Sequence, residues 1–81
     1  MNEKLKFLGK RQEKIMQANS LRLRIRGTVR SLRDLLDPTL PEEELAGEEI
    51  AQQALELADK VNELKTIVAA INKINEILGP Y

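Results

Sequence analysis

The stretch LRLRIRGTVR, residues 21–30, alternates apolar and cationic side chains and then meets a glycine. With a period of two it is a strand with an arginine face; with a period near 3.6 it is part of a helix. The alternation runs only from Leu21 to Arg26. A four-three-four spacing joins Ile25, Val29, Leu32 and Leu36 and continues back through Leu21, Ala18, Ile15 and Leu8. That stripe is helical. A lone strand in a helical chain would have no partner, and leucine and arginine are good helix formers. Gly27 costs about 1 kcal/mol relative to alanine in a helix interior, a penalty that tertiary contacts offset.

The same arithmetic applies downstream. Ile50, Ala54, Leu57, Val61, Leu64, Val68, Ile71, Asn75 and Leu78 recur at alternating four- and three-residue steps, with Ile67 and Ile74 on one flank. ILGPY then ends the pattern: Gly79 suits the left-handed position after a helix and Pro80 forbids continuation. Between the two stripes lies DPTLPEEEL, residues 37–45, whose prolines disfavour helix at Asp37 and Leu40. Thr39 with Glu42 has capping-box spacing, and Asp37 with Pro38 is a competing helix start. Glu42, Glu43 and Glu44 suit the positive end of a helix dipole. Gly47 marks a point where residues 41–46 can form a separate turn.

These signals predict an all-α fold in one domain, residues 1–81. Helix one covers about residues 3–36, a turn covers 37–41, and helix two covers about 41–78. So short a link between long helices of matched length gives an antiparallel hairpin. A wide apolar stripe on both helices exceeds what one facing helix can cover, so the economical assembly is a homodimer forming a four-helix bundle. The expected interface residues are Ile25, Val29, Leu32, Leu57, Val61, Leu64, Val68 and Ile71.

Net charge is zero but unevenly spread. Residues 1–37 hold ten cations and four acids, or +6; residues 38–81 hold three lysines and nine acids, or −6. Folding back at residue 39 makes facing residue numbers add to about 79, which sets the acids from Glu42 to Glu63 alongside the arginines. Arg30–Asp34 and Arg33–Asp37 add pairs within helix one. The expectation is therefore that the arginines sit beside their counter-charges. The alternative is that Arg22, Arg24, Arg26 and Arg30 grip nucleic-acid phosphates. The basic open end, Lys4 to Lys14, and the acidic loop end, Glu42 to Glu49, further suggest a dimer of opposed hairpins.

The composition narrows the chemistry. The chain has no cysteine, histidine or tryptophan, and its aromatic residues are Phe7 and Tyr81. The commonest general base and metal ligand is thus missing. Glu56, Asp59 and Glu63 share a helix face, but a bundle metal site also wants an inward Glu-x-x-His. The glycines match no phosphate loop. No apolar run reaches signal-peptide or membrane-span length. The reading is a small cytoplasmic protein that is not an enzyme and uses no cofactor, metal, membrane or small-molecule substrate. It acts through protein–protein interaction, as a helical homodimer or by docking onto a partner's helices.

Overall fold

The computed structural model describes residues 2–79, so Met1, Pro80 and Tyr81, with the expected stop at Pro80, lie outside the described residues. Two long helices, α1 (Glu3–Leu35) and α2 (Gly47–Leu78), pack against each other as a hairpin. A single 3-10 turn, Glu42–Glu44, interrupts the connector. No strand occurs among the described residues, and LRLRIRGTVR is helical throughout.

Helix α1 starts at Asn2, whose side chain accepts a hydrogen bond from the Lys4 backbone N–H at 3.0 Å. Glu3 in the first turn and Arg33 in the last both complement the helix dipole. The chain turns at Asp37, whose Oδ1 accepts from the Thr39 backbone N–H at 2.9 Å and from the Thr39 hydroxyl at 2.7 Å. Thr39 therefore closes a turn on Asp37 and caps no helix, and the expected capping box with Glu42 is not formed. Pro41 leads into the 3-10 turn, and α2 begins at Gly47 with Glu48 and Glu49 in its first turn. The connector is thus residues 36–46, longer than the five-residue link expected. At the far end Gly79 takes φ +75°, the left-handed region that favours glycine, and its N–H bonds the Asn75 carbonyl at 3.0 Å.

Half-buried and buried positions recur on α1 at residues 7, 11, 14, 18, 21, 25, 28, 32 and 35, and on α2 at 50, 53, 57, 60, 64, 67, 71, 74 and 78. Both series alternate steps of three and four, the seam of an antiparallel helical pair. Aligning the two series makes facing numbers add to about 85, in keeping with Phe7 and Leu78 lining one hollow and Leu21 lining another with Glu63 and Ile67; the longer connector moves the register from the expected 79. The Arg11 guanidinium donates to Asn75 Oδ1 at 3.2 Å, one residue from that register. Ala18 is fully buried, and in the 85 register it falls at the level of Ile67, a small residue against a large one.

The seam differs from the stripe read in the sequence. On α2 the two series share residues 50, 57, 64, 71 and 78. The structure turns Gln53, Lys60, Ile67 and Ile74 toward α1, leaving Ala54 and Asn75 exposed. Ile74 is buried, so it belongs to the core and not to a flank. On α1, Val29 and Leu36 remain 38% and 53% exposed. Arg11, Lys14, Thr28, Gln53 and Lys60 occupy seam positions, and each faces an apolar residue in the 85 register. Only Ala18, Leu21, Leu32 and Ile74 are buried among the described residues.

Candidate functional site

The seam divides the hairpin surface into two long sides. One carries Leu8, Ile15, Arg22 and Val29 from α1, with Leu36 just past its end, all spaced by seven, and Ala54, Val61, Val68 and Asn75 from α2. We call it the valine side. The other carries Lys10, Gln17, Arg24 and Ser31 from α1 with Glu49, Glu56 and Glu63 from α2; it is the carboxylate side. In an antiparallel pair the equivalent flanking rows of the two helices fall on the same side. Two observations fix which rows meet. A shallow hollow is lined jointly by Gln17, Leu21, Arg24, Glu63 and Ile67. Across the seam, Arg11 reaches Asn75 of the valine row.

This division corrects the expected placement of the arginines. Arg22, Arg26, Arg30 and Arg33 fall within an arc of about 80° at 3.6 residues per turn, centred next to the valine side. Glu56, Asp59 and Glu63 stand at the same height along α2 but on the carboxylate side. Similar height is therefore not contact. Arg22 donates to Asn19 Oδ1 at 2.9 Å. Among the described residues Arg24, Arg26, Arg30 and Arg33 have no side-chain hydrogen bond and no ion pair, so the expected Arg30–Asp34 and Arg33–Asp37 pairs are not made. Asp37 is committed to Thr39 instead, and that hydroxyl, followed by the Thr39 backbone N–H, holds its carboxyl below the usual aspartate range. Arg24 alone of the five points to the carboxylate side, near Glu63 in the hollow.

The residues expected at an interface separate in the same way. Ile25, Leu32, Leu57, Leu64 and Ile71 lie in the seam within the hairpin, while Val29, Val61 and Val68 lie on the valine side. Beyond the valine row, the outer face of α2 offers Ala51, Leu55, Ala58, Asn62 and Ala69, all exposed, with Lys65 in the middle and Glu48 and Glu76 at its two ends. The breadth of this alanine-rich face was not apparent from the stripe alone. Its signal in the sequence is the run of alanines at 51, 54 and 58, which a search for large apolar residues passes over.

Elsewhere the surface offers less. At the open end Lys10 Nζ lies 5.9 Å from the Phe7 ring centroid, a cation–π contact of modest strength at an exposed site. Among the described residues no cluster of three or more potential metal ligands occurs, and no helix is long and apolar enough to cross a membrane. Compared with known proteins, the chain matches no protein family, no curated protein and no solved structure.

Proposed function

We propose that the protein is a non-enzymatic helical assembly module whose valine side is covered by a second copy, giving a four-helix bundle. The observation that carries this reading is surface. The chain exposes 6437 Å², where a compact monomer of its mass would expose about 4,900 Å². The excess, about 1,500 Å² per chain, corresponds to roughly 3,000 Å² in a dimer, within the range of obligate homodimers. The shape agrees: a radius of gyration of 18.3 Å and a length of 62 Å, against about 12 Å for a compact chain of this length.

The occupant is a second copy because the valine side carries large apolar residues on both of its helices at once, interrupted by Arg22 and Asn75. A two-fold pairing of such a face buries both halves of the excess in one step. Light scattering at micromolar concentration tests it, with dimers expected. Val61→Lys with Val68→Lys places two ammonium groups on the valine side while leaving the seam intact. It should weaken self-association at least about a hundredfold, since desolvating unpaired charge is costly. A wild-type chain that is monodisperse, fully helical and monomeric refutes the reading.

A second reading has its own observation, the arginine row Arg22, Arg26, Arg30 and Arg33 with no carboxylate bonded to it. Such a row suits a nucleic-acid backbone. Duplex binding whose logarithm falls linearly with log salt, at a slope of about three to four phosphate contacts, would favour it. No binding at low salt excludes it.

A further inference from the structure

We infer that the two copies lie with their loop ends together, each α1 resting on its partner's α2. This rests on the dimer reading above and adds to it the orientation and the surface each helix presents. Two symmetric ways of stacking the valine sides exist. In one, the two-fold axis runs along the bundle, the loops share an end, and α1 faces the partner's α2. In the other, the axis crosses the bundle, the hairpins are opposed, and each helix faces its own copy.

Charge separates the two. Within Glu3–Leu35 stand ten cations and three acids, or +7; within Gly47–Leu78 stand six acids and three lysines, or −3. Opposed hairpins set +7 against +7. The valine-side row of α1, residues 8, 15, 22 and 29, continued by Leu36 at the helix end, is symmetric about Arg22. Antiparallel self-pairing therefore matches Leu8 with Leu36 and Ile15 with Val29, and leaves Arg22 against its own copy on the axis. Shared loop ends avoid this. They set Ile15 opposite Val68, Arg22 opposite Val61 and Val29 opposite Ala54, with Arg33 alongside Glu48. The long arginines then cross the alanine face of the partner's α2, large against small, and their stems cover apolar surface.

The two ends argue the other way, and for the opposed hairpins expected from the sequence, since Glu42, Glu43 and Glu44 of both copies meet at one end and Lys4 to Lys14 of both at the other. Those carboxylates are exposed, and exposed charges are screened beyond about 8 Å at physiological salt. Charges inside the contact are screened less and set orientation more strongly. The lateral term therefore decides.

The chain has no cysteine, so Glu43→Cys carries a single spin label per copy. Shared loop ends place the two labels below about 30 Å, one or two interhelical spacings plus the tethers. Opposed hairpins place them near the 62 Å length of the molecule. A dimer with the long distance overturns this inference and leaves the dimer reading intact; a monomer, seen by light scattering on the same sample, overturns both. A charge exchange gives an independent readout. Arg33→Glu should weaken the dimer roughly two- to thirtyfold, over two symmetric exposed pairs, and adding Glu48→Arg should restore it. Absence of that rescue, with helicity unchanged, also overturns the orientation.

Discussion

Replacing Gly27 by alanine tests which side of the hairpin is covered. Gly27 sits within α1 and is exposed, and a Cβ built on it meets nothing within 4 Å. It lies next to the carboxylate side, away from Val29 and the valine row. In a helix interior alanine is more favourable than glycine by about 1 kcal/mol, because glycine loses more backbone freedom on folding. With the space open, Gly27→Ala should gain nearly all of that, or about 2 kcal/mol per dimer. The melting temperature should rise by roughly 4–8 °C for each kcal/mol per chain. Urea denaturation should move its midpoint with the slope unchanged, both followed by circular dichroism at one fixed protein concentration. If the second copy packed on the carboxylate side, the added methyl would enter a helix–helix contact of 8–10 Å spacing. Overpacking there costs about 1–3 kcal/mol and reverses the sign. A destabilised Gly27→Ala dimer would therefore refute the assignment of the covered face.

Two further outcomes follow from the seam and the connector. Lys60, half-buried and facing Ile25 in the 85 register, spends its ammonium on no partner among the described residues; Lys60→Leu should stabilise by roughly 1 kcal/mol, the value of about one added buried methylene, and a loss in urea titration would count against the register. The lowered Asp37 carboxyl means that its turn contributes stability above the ordinary aspartate range, about pH 3.9, and loses it as pH falls through the lower folded value. An NMR titration of Asp37 should show that low midpoint, and Thr39→Val, which removes the hydroxyl donor, should raise it; an unchanged midpoint would show that the hydroxyl does not hold the carboxylate.

Helix, break and hairpin were all legible in the sequence, because four-three periodicity and two prolines act locally. The seam was less so. On α2 the series through Ala54, Val61 and Val68 looks more apolar than the series through Gln53 and Lys60, and pattern alone prefers it. The structure uses the second, in which Ile67 and Ile74 fall at the levels of Ala18 and Arg11 and Ile74 is buried. The connector was misjudged for a related reason. Asp37 can hold Thr39 in a turn as well as cap a helix, and the sequence does not distinguish the two uses of the same oxygens. That choice moves the register from 79 to 85. The side on which each charge stands follows from the seam, so the arginines could not be matched to acids by height alone.

The polar members of the seam and the openness of the valine side bear on one another. A hairpin that places Arg11, Lys14, Thr28, Gln53 and Lys60 between its own helices buries little apolar area within one chain, and four buried residues fall short of what a domain this small needs. Further apolar surface lies outside the seam, on the valine row and among the alanines of α2. Stability gained by covering that surface depends on concentration, whereas stability from the seam does not. In the proposed dimer the first is the larger, and folding and pairing should then be one transition, whose midpoint rises with protein concentration as mass action requires. In the proposed dimer the seam would serve mainly to set the register of the two helices, so that Ile15, Val29, Val61 and Val68 fall on one side, and the second copy would supply the energy that keeps them there.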